Sequence, residues 1–375
     1  MSSETPLISV IIPAYNAASL IERTLRSVLA QTYQNLEVLV VDDGSTDQTS
    51  AVVAAIAHQD PRVKLLHQAN AGVAAARNLA IAQAQGEFIA PMDADDLWYP
   101  ENLEKQVQCL IQGGPQMGLV YSWSVDIDEQ DALLGGFRAA EIQGQVYATL
   151  VCHNFLGNAS ASMIRRSCLE QVGWYESKLR SQQAQGCEDW DLYLRIAEKF
   201  EFGVVPAFLV GYRKLTASMS GDYQQMARSH TLVMQAVRQR HPELPAFVFR
   251  LSSSNLYFYF AHQSHRSRSH RTTLYWLGQS IQADPLSCWI RLGLYRLTIQ
   301  SVWGSVRGSQ KDAPGSPAPQ SSMSPPLNLA DIEQRQGAIA LMVMVGNGFH
   351  RFISRMAQRP MPSACSLTPT GGVSP

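Results

Sequence analysis

Residues Gly86–Tyr99 read GEFIAPMDADDLWY. The apolar run Phe88-Ile89-Ala90 leads into three carboxylates, Asp93, Asp95 and Asp96. In an extended backbone, side chains two residues apart project to the same face. Asp93 and Asp95 are therefore expected to aim at one target, with Asp96 turned elsewhere. Two carboxylates on one face repel unless a cation lies between them. Mg²⁺ or Mn²⁺ carrying a diphosphate meets that need, because these ions prefer oxygen ligands and are often held by one or two carboxylates together with phosphates. A solvated acidic turn is the alternative at this point, and the surrounding sequence decides between them.

Upstream of this stretch the chain alternates apolar runs with helical spacing. Leu7–Ile12 is a short apolar strand ended by Pro13, of the kind buried on both faces of a parallel sheet. Helical periodicity covers Ala17–Gln31 through Leu20, Ile21, Leu25, Val28 and Leu29. Leu36–Val41 is a second strand, and Ser45 or Thr46 is placed to cap a helix running to about Ala57. Val63–His67 is a third strand, and Gly72–Ala84 is an alanine-rich helix with high intrinsic propensity. Strands alternating with helices in this way indicate successive right-handed βαβ units and a parallel sheet. Ligands of such sheets bind outside the carboxyl ends of the strands. Four polar segments fall at those ends: Pro13-Ala14-Tyr15-Asn16, Asp42-Asp43-Gly44-Ser45, Gln68–Gly72 and Asp93–Asp96. Their convergence on one edge favours a ligand site over an isolated acidic turn.

Downstream, Asn102–Ile111 reads as a helix and Leu119–Ser122 as a strand, and Val125–Val151 is weakly strand-like. Leu169–Gly173 is a helical turn and Glu188–Phe200 a clear helix. Phe202–Val205 and Phe208–Tyr212 read as two edge strands. The first domain is expected to close near Asp222, giving an α/β domain over residues 1–222. Residues 223–307 are mostly helical, with a helix, an Asp-Pro turn and a second helix in Arg271–Leu297. The stretch Trp289–Arg307 mixes aromatic, aliphatic and arginine residues. It reads first as a packing helix and second as a peripheral contact with a membrane surface. Residues 308–326, rich in Pro, Ser and Gly, are expected to be a flexible linker. Residues 327–375 would hold one more amphipathic helix, broken near Gly346-Asn347-Gly348, and a disordered tail from Gly371.

Composition narrows the function class. The chain has 375 residues, 46% hydrophobic and 16% charged, with a net charge of -1. A packed core is expected and general nucleic-acid binding is not. Six scattered cysteines without C-x-x-C spacing argue against a zinc site or a disulfide framework and for a reducing, cytoplasmic setting. No basic n-region precedes a long apolar run, and no apolar stretch nears the length of a membrane span, so neither a signal peptide nor a spanning helix is expected.

With these segments in place, Leu7 to about Ser220 resembles the family 2 glycosyltransferases of the GT-A nucleotide-sugar fold. The likeness rests on ISVIIPAYN (Ile8–Asn16), VVDDGSTD (Val40–Asp47), NAGVAAARN (Asn70–Asn78), MDADDLW (Met92–Trp98) and EDWDLYLR (Glu188–Arg195), in family order. It implies a mostly parallel central sheet flanked by helices, with a C-terminal helical extension. It also implies inverting transfer from a nucleoside-diphosphate sugar, first of all a UDP-sugar, to a glycan or lipid-linked acceptor in polysaccharide, cell-envelope glycan or glycolipid synthesis. By resemblance, Pro13 and Tyr15 line the base and Asp43 contacts it, with Asp42 beside it. Asn70, Gly72 and Arg77 hold the nucleotide end, and Asp93 sits near the ribose. Asp95, with Asp93, holds Mn²⁺ or Mg²⁺. Asp189 is the general base, supported by Glu188. The chemistry asks for the same parts: a carboxylate to take the hydroxyl proton and a cation to stabilise the leaving diphosphate. Two features depart from the family pattern. Lys214-Leu215 follows Tyr212-Arg213 where many members carry a histidine shortly afterwards, and Trp174-Tyr175 replaces the usual small-aromatic pair. Two further readings stay open here: a sugar-phosphate nucleotidyltransferase, which usually needs a glycine-rich basic loop where this chain has Pro13–Asn16, and a non-catalytic nucleotide-sugar-binding scaffold.

Overall fold

The structure, a computed structural model, describes residues 5–215, 221–288, 291–308 and 329–357. The first half runs β1 (Ile8–Ala14), α1 (Ile21–Leu29), β2 (Leu36–Asp42), α2 (Thr49–Gln59), β3 (Val63–His67), α3 (Val73–Gln83), β4 (Phe88–Pro91), β5 (Leu97–Trp98) and α4 (Asn102–Gln112). It continues through β6 (Met117–Ile127), β7 (Leu133–Arg138), α5 (Tyr147–Cys152), β8 (Ser162–Arg165), α6 (Arg166–Val172), α7 (Lys178–Ser181), α8 (Glu188–Ala197) and β9 (Glu201–Arg213). The second half is helical: α9 (Tyr223–Arg240), α10 (Ala246–Arg266), α11 (His270–Ala283), α12 (Pro285–Cys288), α13 (Leu292–Gly308), α14 (Leu329–Glu333) and α15 (Gln336–Ala357).

The strands form one mixed sheet in the order β3-β2-β1-β4-β8-β6-β9-β5, with β7 added against β6. The pairs β1–β2, β1–β4, β2–β3 and β6–β9 are parallel. Because β8 runs antiparallel to both β4 and β6, the C-terminal ends of β4 and β6 emerge on the same rim. The ends of β1, β2, β3 and β9 join them there. Apolar residues fill both faces: Ile8, Val10 and Ile12 pack with α1, α2 and α4, while Ile11, Leu39 and Ile89 pack with α3, α8 and the C-terminal helices. That two-sided burial explains why β1 and β2 are continuous apolar runs.

The sequence expectations hold for the first four strands and the three helices between them. They hold as well for the helices expected at Asn102–Ile111 and Glu188–Phe200 and the strand at Leu119–Ser122, and at the following points the structure corrects them. Asp93–Asp96 is not extended but a turn, in which the Asp96 amide donates to the Asp93 carbonyl (3.2 Å). Asp47, rather than Ser45 or Thr46, accepts the Thr49 amide at the start of α2 (2.9 Å). The weak stretch Val125–Val151 holds the end of β6, all of β7 and most of helix α5. The two strands expected near residue 205 are one, β9, and Pro206 is accommodated where its register against β6 shifts between Ser122↔Val205 and Trp123↔Phe208. Such an irregularity lets a residue without an amide hydrogen stay within a sheet. Helix α15 runs unbroken through Gly346-Asn347-Gly348, since glycine weakens a helix without terminating it. Residues 309–326 of the expected linker, the tail from Gly371, and Trp289 lie outside the described residues.

At residue 222 the chain changes from mixed α/β to helical, yet one hydrophobic core crosses that point. Val233, Val248, Phe260, Trp276 and Leu294 belong to the same cluster as Ile11 and Leu39. A smaller cluster joins Trp123, Val125 and Phe208 to Ile332 of α14, with Ile339 and Val343 of α15 packed against it. Opposite the site rim, buried Glu37 pins three strands: it accepts from the Ser9 hydroxyl (2.7 Å), the Gln85 amide (2.7 Å) and Lys64 (2.9 Å). Burial works to raise its pKa, but these donors outweigh burial and hold it below the usual range. Replacing Glu37 by Ala is expected to lower stability by about 1–3 kcal/mol, because buried donors lose their acceptor. Urea unfolding checks this. The wild-type contribution should be present above the ordinary glutamate range and fade as pH falls through the lowered value.

Candidate active site

The polar loops of the first four strands meet on the rim, and each side chain is positioned by its strand end. Pro13 still pairs with Val41 in the sheet, so Tyr15 emerges immediately beyond it, 53% exposed. Asn16 has a φ of 50° and accepts from the Thr46 amide (2.8 Å), tying the first loop to the second. Asp42 accepts the Ser45 amide (2.9 Å) and closes the turn after β2.

Asp43 is buried, and both its oxygens hold the third loop. It accepts from the amides of Ala71 (2.7 Å) and Gly72 (2.8 Å) and from the Gln68 side chain (2.6 Å). Gly72 precedes α3 with a φ of 92°, where a Cβ would also meet the Arg180 side chain at 2.8 Å. Glycine is the residue suited to both demands. Arg180 donates to the Asn70 side chain (2.5 Å).

Helix α3, fixed by that loop, carries Arg77 into the centre of the rim. Its guanidinium is buried and bridges Asp93 (2.6 Å) and Asp189 (2.5 Å). The ring of Tyr175 lies beneath it, 5.1 Å from guanidinium carbon to centroid. Arg77 thus joins the acid-rich turn after β4 to the first turn of α8. Asp189 and Glu188 sit at that helix N-terminus, where the dipole favours negative charge. Glu188 accepts the Gly186 amide (2.7 Å), and burial raises its pKa. Burial also pushes Asp189 up to about 7, opposed by Arg77 and reinforced by Asp93 and Glu188.

Within the acid turn the three carboxylates divide the work. Asp96 is fully buried and structural: it accepts from the Ser160 hydroxyl (2.6 Å) and the Arg213 amide (2.8 Å). Asp93 faces Arg77. Asp95 is raised to about 6, by burial first and then by Asp93, against the opposing charge of Arg213. Among the described residues, no group of three or more His, Cys, Asp or Glu side chains is arranged as a metal site. One or two carboxylates beside phosphate oxygens nevertheless suit Mg²⁺ or Mn²⁺. A carboxylate destabilised by a like-charged neighbour, as Asp95 is, would gain from such an ion.

Residues 9–173 match the family model for glycosyl transferase family 2. That stretch is similar to this family. The chain is 41% identical over 174 residues to an uncharacterized glycosyltransferase of Nostoc sp., covering 44% of this chain and 52% of that protein. It is 29% identical over 202 residues to the hyaluronan synthase of Pasteurella multocida, covering 53% of this chain and 20% of that enzyme. The chain therefore spans about half, or less, of the length of these curated relatives. The crystal structure of S. aureus TarS 1–349 in complex with UDP-GlcNAc superposes with a TM-score of 0.51 over 81% of this chain and 91% of that one, at 19% identity. At that identity the likeness establishes the fold, which is GT-A.

Several residues around the candidate site carried no sequence signal for the part they play. Arg213 is fully buried in its side chain and donates to the Asp95 carbonyl (2.5 Å), the Asp128 carbonyl and Asp131. It locks the acid turn to β9. Ser160 holds the same turn through the Asp93 amide (3.0 Å). Arg180 gave no pattern to read, and Tyr175 was visible only as an unusual residue after Gly173. Trp98 and Trp190 are core residues whose indole N–H groups donate to the carbonyls of Ser160 (2.7 Å) and Leu150 (2.8 Å). Replacing Arg77 by Gln removes the cation shared by two carboxylates. The Asp189 pKa should then climb further above about 7, since Arg77 is the group opposing the rise. Carboxyl carbon shifts followed by NMR against pH would show it, and an unmoved midpoint would contradict the assigned bridge.

Proposed function

We propose that this rim transfers a sugar, with inversion, from a nucleoside-diphosphate sugar to an acceptor hydroxyl on a glycan or lipid-linked chain, in polysaccharide, cell-envelope glycan or glycolipid synthesis. A UDP-sugar is the first donor to test. The observation that carries the reading is the Arg77 bridge, which ties the acid turn after β4 to the N-terminus of α8. Tyr15, exposed at the end of β1, offers a ring for the base. Asp42, Asp43, Asn70 and Gly72 are assigned to hold the nucleotide beside it, and Asp93 is assigned to the ribose. Asp95 and Asp93 would hold Mn²⁺ or Mg²⁺, which when bound stabilises the charge developing on the leaving diphosphate.

Asp189 takes the proton of the attacking hydroxyl, with Glu188 supporting the first turn of α8. Its raised pKa suits that role, because a base titrating near neutrality combines availability with driving force. The unprotonated form is the active one, so kcat/KM should rise with pH and level off above about 7. Replacing Asp189 by Asn should leave nucleotide-diphosphate binding intact and reduce transfer about 10²–10⁴-fold. Replacing Asp95 by Ala should abolish the dependence of donor binding on Mn²⁺. Calorimetry of UDP with and without Mn²⁺, together with single-turnover transfer, tests both. Normal turnover by the Asp189 variant would remove it as the base.

Peripheral membrane contact belongs to the same reading. No described helix is long and apolar enough to cross a membrane. On α13, however, Leu292, Tyr295, Ile299, Val302 and Trp303 are exposed at helical spacing, Leu292 by 82%, which is the pattern of a helix lying in a lipid interface. Replacing Ile299 and Trp303 by Glu should reduce co-sedimentation with anionic vesicles severalfold, while equal sedimentation would exclude this helix as the contact.

A further inference from the structure

A second charged cluster lies on the same rim, beyond the acid turn from the nucleotide loops. It is built from the ends of β6, β7 and β9 and the last turn of α10. Asp126, 3% exposed in its side chain, receives Arg138 at 2.9 Å and Arg266 at 3.2 Å, with the Lys214 ammonium at 3.9 Å. Arg138 and Lys214 also lie against the ring of Tyr212, at 4.9 and 4.2 Å from its centroid. Three cations thus meet one carboxylate. The next carboxylate felt by Lys214 is Asp96, whose oxygens are already engaged by Ser160 and the Arg213 amide. Positive charge remains in excess even when Asp96 is counted as ionised.

Assembling like charges in a partly buried place is costly unless a counter-charge completes the set. The arrangement also has an open side. Arg138 and Lys214 are mostly covered, at 22% and 19% exposed, whereas the Arg266 side chain is 58% exposed. The nucleotide loops follow β1, β2 and β3, on the other half of the sheet order. The cluster is joined to the acid turn through Arg213, the residue before Lys214, whose amide Asp96 accepts.

We propose that Arg138, Lys214 and Arg266 form a subsite for an anionic group of the acceptor, a carboxylate or a phosphate, and that the helical extension contributes to acceptor choice by supplying Arg266. A planar guanidinium pairs with either group through two parallel hydrogen bonds. The role in acceptor choice rests on the glycosyl-transfer reading of the rim, whereas the binding of a small anion can be measured without it.

The experiment uses the full chain and Arg266→Glu, which supplies the missing negative charge from within and sits at an exposed position, with Arg266→Lys as the conservative control. Inorganic phosphate and sodium glucuronate are titrated separately at low ionic strength, while the resonances of Tyr212, against which Arg138 and Lys214 lie, are followed by NMR. Wild type and Arg266→Lys should show saturable shifts with at least one anion, and Arg266→Glu should bind that anion about ten- to hundredfold more weakly, the loss of one charge-assisted hydrogen bond. Whichever anion binds identifies the source as carboxylate or phosphate. Absence of any shift in wild type, or equal affinity in Arg266→Glu, overturns the subsite. In transfer assays the same substitution should raise KM for the acid-bearing acceptor with kcat little changed, and leave a neutral acceptor unaffected. Anion binding without any transfer would overturn the function proposed above and leave the subsite standing.

Discussion

The guanidinium of Arg77 is the constraint around which the site is built. Its helix is set by the loop that Asp43 holds, and its two ion pairs fix the acid turn on one side and α8 on the other. A buried arginine is tolerated only when its charge is matched, so Asp93 and Asp189 cannot drift apart without a large cost. The separation between the end that would hold a donor and the residue that would take a proton is thereby set by one planar group. Tyr175 beneath it limits the remaining freedom of that plane.

Much of this was legible in the sequence, for identifiable reasons. Two-sided burial makes β1 and β2 uninterrupted apolar runs, and the alternation with α1, α2 and α3 leaves few topologies open. The polar segments at the strand ends could then be assigned to one rim before any coordinates. What could not be read were contacts across long sequence distances. Arg77 and Asp189 are separated by 112 residues, and only the tertiary fold shows that Arg77 grips acids. The extended geometry assumed for Asp93–Asp96 failed because the chain turns there. Asp96 is drawn inward by Ser160 and Arg213, partners 64 and 117 residues away. The strand β9 was divided in two because Pro206 is a strong local punctuation mark, and a register shift can absorb it only when a neighbouring strand is present.

The two halves of the rim differ in character. On the half after β1, β2 and β3, backbone amides and short polar side chains dominate, held by Asp42, Asp43 and Asn16. On the other half, long cationic side chains surround Asp126 and Tyr212. The first suits a ligand whose shape is fixed, and the second suits a charged group carried on a chain of varying length. The acid turn, pinned by Arg213 and Ser160, lies between them.

The core that passes through residue 222 without interruption has a consequence for how such chains diversify. Helix α10 fills the interior with Phe260 and ends at Arg266 on the rim. A chimera that kept the α/β portion and borrowed helices from another protein would need a recut interior as well as a new surface. The part of the rim that Arg266 completes and the capacity to fold are therefore inherited as one unit, and this architecture would resist modular exchange at the boundary where its secondary structure changes.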